Sequence, residues 1–215
     1  MRGEPVGVVG CGSMGAAIAG LLHRNGHPLL LAGGPRRTGA LLAATLPGSV
    51  AADLATVAAR APIVFLATRL RVTCQVIAPL TARELAGRVV VDVSNPDPGD
   101  MPEGGPRSSA ELVADAFRKS AVVKALNCVS ARRLSLVRPG DDLTVPIAGD
   151  HPAAKDAVTA LLGGTGLTIL DAGPLSASTW IESLAAFLRH LGTEQGLGDS
   201  VGFRLTTPHQ KGRPT

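Results

Sequence analysis

The stretch that most constrains this chain lies at its beginning, where residues 6–15 read VGVVGCGSMG. Val6, Val8 and Val9 form a short apolar run suited to a buried strand. From Gly12 a helical pattern begins, with Met14, Ile18, Leu21 and Leu22 at helical spacing. Between them lies Gly10-Cys11-Gly12-Ser13-Met14-Gly15, a G-x-G-x-x-G loop. In a strand–loop–helix unit the first glycine permits a tight turn. The second lets backbone approach a pyrophosphate, and the third lets the helix pack closely on the strand. The amides at the helix start then face the anion. Glycines alone mark only a turn, but after a strand and before a helix they predict a dinucleotide site.

The rest of the chain repeats that rhythm. Asn25-Gly26-His27-Pro28 breaks the first helix, and Leu29 to Ala32 is a second apolar strand. Helical patterns run through Leu41, Leu42 and Leu46, over 53–60, over 72–85 and over 109–117. Apolar strands are expected at 62–67, 88–93 and 121–126, and a proline- and glycine-rich loop at 96–109. Continuous alternation with fully apolar strands predicts an α/β, Rossmann-type, doubly wound parallel sheet covered on both faces. A small C-terminal α/β lobe is expected over 141–205, after a nucleotide-binding domain over 1–140. It comprises a strand at 144–148, a helix opening at Pro152 and closing at Gly163-Gly164, and a strand at 167–170. Ile181, Leu184, Ala185, Leu188 and Leu191 then form an apolar helical stripe, read as core or subunit contact. The tail, 206–215, reads as disordered.

Composition narrows the function classes. Hydrophobic residues make up 45% of the 215, enough for a sizeable core. Aromatics are only 2%, with no tyrosine, so stacking platforms for single-stranded nucleic acid are nearly absent. The net charge of +4 is mild and its basic residues are scattered, which argues against a nucleic-acid partner. The cysteines, Cys11, Cys74 and Cys128, have neither metal nor disulfide spacing, as expected in a reducing compartment. No signal-peptide core or bilayer-length apolar run is found, so a soluble cytoplasmic protein without a membrane partner is expected. His23, His27 and His151 read as structural or capping residues.

In open parallel sheets, ligands lie beyond the carboxyl ends of the strands. Four such ends carry candidates: Gly10 to Gly15, Gly33-Gly34 to Arg36-Arg37, Ala67-Thr68-Arg69, and Ser94-Asn95 with Asn127-Cys128-Val129-Ser130. The second end has no Asp or Glu to hold a ribose 2′-hydroxyl. It offers Arg36 and Arg37, whose permanent charge and forked geometry suit a 2′-phosphate, so NADP is expected over NAD. Arg69 could meet an anionic tail or pair with Asp92. No histidine lies near Cys128 in sequence to activate it. No acid–base pair stands out, as expected of a protein that only holds two ring systems face to face.

These residues resemble a known family, the F420-dependent NADP reductases, and the related oxidoreductase domain of the STEAP-type metalloreductases. The opening loop, VVVDVSNP at 89–96, SAELVADAF at 109–117, VVKALNCVSA at 122–131, VPIAGDHPAAK at 145–155 and LDAGPLSASTWIESL at 170–184 carry the resemblance. GLGDSVGFRL at 196–205 is similar to the end of the reductases. The resemblance implies NADP(H) along the glycine loop and coenzyme F420, or FAD or FMN, stacked on the nicotinamide. The second ring would fall against Asn127 to Ser130, Ala67 to Arg69, and residues near 202–205. A homodimer is also implied. Two departures stand out: Ala32-Gly33-Gly34 replaces the family's G-S-R, and Thr68-Arg69-Leu70 replaces a proline or histidine near the ring. A flavin or metabolite (imine) reductase, or a non-catalytic redox sensor, would share these features.

Overall fold

The computed structural model describes residues 3–34, 38–97, 99–101 and 107–206. Strands and helices alternate from the start. β1 (Val6–Val9), α1 (Ser13–Arg24), β2 (Leu29–Ala32), α2 (Thr38–Thr45), β3 (Val50–Ala51), α3 (Leu54–Arg60) and β4 (Ile63–Leu66) come first. A broken helix follows, in which α4 (Leu70–Val72) and α5 (Ala78–Thr81) flank a π-helical turn, Thr73–Ile77. Next are β5 (Val89–Asp92), α6 (Ser109–Ala116), β6 (Ala121–Lys124) and α7 (Ala131–Leu136). The chain then runs through β7 (Leu143–Ile147), α8 (Pro152–Leu162), β8 (Leu167–Asp171), a 3₁₀ turn (Leu175–Ala177) and α9 (Ser178–Thr193).

Six strands form one parallel sheet in the order β3-β2-β1-β4-β5-β6, the doubly wound arrangement expected. Side chains alternate across it. Val6 and Val8, Leu29 and Leu31, Ile63 and Phe65, and Val91 and Val123 enter a core shared with α1, α7, α8 and α9. Val9, Leu30, Val64, Leu66, Val90 and Val122 enter a second core beneath α3, α5 and α6. Burial on both faces is why the strands carry no polar alternation. β7 and β8 pair in parallel as a separate two-stranded sheet joined by α8, and Ala148 bridges to Lys124 on the edge of the main sheet.

Four details differ from the expectation. β3 spans two exposed residues, too few to show a period. The helix expected over 72–85 begins at Leu70 and is interrupted by the π turn. β6 stops at Lys124, because Leu126 takes a positive φ of 62° and turns the chain. Residues 131–136 form a helix not among those expected from the sequence, started by Ser130, whose Oγ accepts the Arg133 amide.

The register decides where the site can be. Val9 pairs with both Ala32 and Leu66, Leu66 with Asp92, and Asp92 with Lys124. The strand exits therefore stand in a row. The chain leaves β1 towards β2 on one side and returns to β4 on the other, opening the crevice between them.

Candidate active site

One wall of the crevice is made of backbone. Gly10 leaves β1 with φ 93°, and a side chain there would stand 2.6 Å from the Ala67 carbonyl, so the loop turns directly against the β4 exit. A Cβ on Gly15 would lie 1.8 Å from the Gly10 carbonyl, so α1 rests on the loop itself. At Gly12 a Cβ would meet nothing within 4 Å. Gly12 is also the N-cap of α1 and provides no side-chain cap, so the first-turn amides of Ser13, Met14 and Gly15 are open to an anion. Ser13 is exposed and Met14 half-buried. Cys11 is buried, which pushes its thiol up to about 11.

At the second exit Gly33 packs against α2, where a Cβ would be 2.1 Å from the Gly39 nitrogen, whereas Gly34 is open. Arg36 and Arg37 lie outside the described residues. At the third, Thr68 Oγ1 meets Thr73 Oγ1 at 2.6 Å, tying the β4 exit to the π turn. Ala67 is half-buried and Arg69, the N-cap of α4, is exposed. The pairing of Arg69 with Asp92 considered above does not occur. Asp92 is wholly buried and bound to Lys124 instead.

That pair anchors the other wall. Lys124, 0% exposed, lies 2.8 Å from Asp92 Oδ2 and 2.9 Å from Glu182 Oε1. It also donates to the Ser94 carbonyl and, at 2.7 Å, to Ser109 Oγ. Two carboxylates around one ammonium leave an excess negative charge in the interior, and amides meet it. Ser94 N and Oγ donate to Asp92 Oδ1 at 3.0 and 2.7 Å. Ser109 N donates to Glu182 at 3.0 Å from the first residue of α6, where the helix dipole favours an anion. Ser94, grouped above with the crevice residues, therefore spends its hydroxyl inward and is a buttress.

Outside this cluster, Asn95 Nδ2 donates to the Asn127 carbonyl at 2.8 Å and Asn127 Nδ2 to Asn95 Oδ1 at 2.9 Å, lashing the β5 and β6 exits together. Cys128 and Val129 are buried, and burial pushes the Cys128 thiol up to about 11, well away from a thiolate nucleophile. The Ser130 hydroxyl also binds the Asp199 carbonyl, pinning the segment after α9. A cavity of about 290 Å³ lies among these parts. It is bounded by Met14, by Asn95 and Asn127 to Ser130, by Ala185, Leu188 and Arg189 of α9, and by Gly198, Asp199 and Val201.

The sequence reading missed Lys124, Glu182 and Ser109. One signal was available: a lysine closing an apolar strand buried on both faces has to find a carboxylate. His151 does occupy the N-cap position of α8, but without a capping side-chain bond. In the apolar stripe, Ile181, Ala185 and Leu188 are buried and Leu184 and Leu191 half-buried, so it faces the core.

Known proteins share this fold. Residues 5–96 match the family described as NADP oxidoreductase, coenzyme F420-dependent. A protein of Arthrobacter sp. FB24 assigned as an F420-dependent NADP reductase superposes with a TM-score of 0.81 at 26% identity, covering 95% of this chain and 100% of that one. These matches support an NADP-dependent oxidoreductase. Rat metalloreductase STEAP3 is 30% identical to this chain over 180 residues, 83% of this chain and 36% of STEAP3, so the chain spans about a third of that relative's length. A hypothetical protein of Sinorhizobium meliloti superposes at 0.71 with 25% identity, covering 82% and 88%. No helix among the described residues is long and apolar enough to cross a membrane.

Proposed function

We propose that this oxidoreductase transfers a hydride between NADP(H) and coenzyme F420, held face to face in the crevice. One observation carries the reading. The cavity touches both Met14, at the start of α1, and the Asn127–Ser130 loop, so one space adjoins the nucleotide loop and the second-ring loop. The residues fit the groups they would hold. Gly12 leaves room where a phosphate would approach, and α1 opens uncapped.

Gly10, Cys11, Gly12, Ser13 and Met14 would hold the pyrophosphate, and Gly33, Gly34, Arg36 and Arg37 the ribose and its 2′-phosphate. Ala67, Thr68 and Arg69 would border the nicotinamide, and Asn95 and Asn127 to Ser130 the second ring. NADP(H) and F420 supply the hydride chemistry when bound. The protein's share is to align them and exclude water. Of the cavity's titratable side chains, Cys128 is held as a thiol, and Arg189 and Asp199 belong to α9 and the segment beyond it. A metabolite reductase would need a proton donor, which this set supplies poorly.

A homodimer in the cytoplasm is part of the same reading. Trp180 and Phe187, seven residues apart on one face of α9, are 77% and 57% exposed. Such a patch suits a second copy of the chain. Sedimentation of a variant carrying Trp180→Glu and Phe187→Glu should give a monomer where the native chain gives a dimer.

The test mixes the protein with NADPH or NADH and, separately, oxidised F420, FMN or FAD, following the deazaflavin and nicotinamide absorbance. Exchange between NADPH and F420 sustains the proposal, and exchange with flavin alone moves the acceptor to FMN or FAD. Nucleotide binding without exchange points to a metabolite reductase or a redox sensor. Replacing Arg36 and Arg37 together by Ala should weaken NADP(H) by about 2 kcal/mol and spare NAD(H), since hydrogen bonds to charged groups contribute roughly 1.5–3 kcal/mol. Equal loss for both cofactors would refute the 2′-phosphate role.

A further inference from the structure

The second wall holds a polar atom that has no partner among the described residues. Asn127 is 5% exposed and lines the cavity, and its Oδ1 is buried with no hydrogen-bond donor among the described residues. The two ends of a side-chain amide are alike in shape, so their identity has to come from the surrounding network. That network leaves one solution. Asn95 gives one amide end to the Asn127 backbone carbonyl, which can only accept, so that end is the NH₂. The other end of Asn95 is then oxygen and needs a donor, which Asn127 provides through Nδ2. What remains on Asn127 is an acceptor. A backbone carbonyl thus fixes, through two side chains, which end of the Asn127 amide is left over.

Two side-chain donors of this wall are committed elsewhere. Lys124 serves Asp92, Glu182, Ser94 and Ser109, and the Ser130 hydroxyl serves Asp199. A buried acceptor without a donor is costly, and such a cost in a native structure asks for a cause. The rest of the wall offers flat apolar contact from Met14, Val129, Ala185, Leu188 and Val201, suited to the faces of a ring.

We propose that Asn127 Oδ1 is completed by an N–H brought in by the bound ring, so that this site selects planar heterocycles carrying an amide or imide N–H. The inference rests on the cavity being the place where the two rings meet. Two ligands offer that chemistry: the carboxamide of the nicotinamide and the imide of a deazaflavin or flavin.

Binding, measured by fluorescence titration of the full chain, separates them without reference to turnover. One pair of probes is lumiflavin and 3-methyllumiflavin, with NADP⁺ present. The other is NADP⁺ and its 3-acetylpyridine analogue, whose methyl ketone has no N–H. The native chain should prefer the N–H member of one pair at least tenfold, and that pair names the ring. Asn127→Leu should remove the preference. Asn95→Ala should reduce it severalfold with an unchanged circular dichroism spectrum, because the Asn127 amide is then free to turn over; this variant tests the proposal should the leucine variant not fold. Absence of preference in both pairs, or preference that survives in the variants as simple steric exclusion would, overturns it. Hydride exchange with F420 is a separate readout, so the ring reading can fail while this one stands, and the reverse.

Discussion

The two walls of the crevice are built on opposite plans. The glycine-loop wall is local and made of backbone: six consecutive residues supply the turn, the open approach and the close packing of α1. The opposite wall is made of side chains drawn from distant parts of the chain. Lys124 reaches Asp92, 32 residues away, and Ser109 reaches Glu182, 73 away. The first wall can lose a function without losing its shape. In the second wall, the groups that shape the site also hold β5, β6, α6 and α9 together.

The largest effect therefore belongs to Lys124→Met. It leaves Asp92 and Glu182 buried with no cation, and breaking a buried pair in this way costs about 3–5 kcal/mol. Urea unfolding should show a loss of that size. A triple variant with Asp92→Asn and Glu182→Gln as well should recover much of it, since no lone charge then remains inside. A loss below about 1 kcal/mol for Lys124→Met would mean that water reaches the cluster and that the two walls differ less than their burial indicates.

Gly12→Asp should have the reverse profile. Its side chain enters open space at a φ of −80°, so the unfolding midpoint should stay within about 0.5 kcal/mol of the native chain, as for surface changes generally. Nucleotide binding should vanish from calorimetric titrations, because a carboxylate would stand where the phosphate is expected. Retained affinity would remove the glycine loop from the cofactor assignment.

The same contrast explains what could be read in advance. The doubly wound sheet was legible because strands buried on both faces are apolar throughout, and the glycine loop because its spacing is local. Arg69 illustrates the failure. Asp92 is open to it only if Lys124, its direct neighbour in the β5–β6 register, is one more strand residue. Pairing partners across 32 or 73 residues leave no periodic trace. The orphaned Asn127 oxygen is harder still to foresee, since it depends on which end of Asn95 meets a carbonyl.

The smallest effect near neutral pH concerns the cysteines, of which each wall buries one. Cys11 and Cys128 both have thiols raised by burial to about 11. Each contributes stability that is fully present below the ordinary thiol range, near 9, where folded and unfolded chains both keep the proton. Between about 9 and 11 the unfolded chain has released its protons and the folded one has not. Unfolding should therefore become easier as pH rises through that window, with no change below it. In a Cys74→Ala background, which removes the half-buried third thiol, both remaining cysteines should resist a thiol reagent at pH 7–8. Adding Lys124→Met should then expose Cys128 while Cys11, on the locally built wall, stays protected. Equal exposure of the two would mean that the walls open as one cooperative unit, and that the long-range cluster holds the glycine loop in place as well.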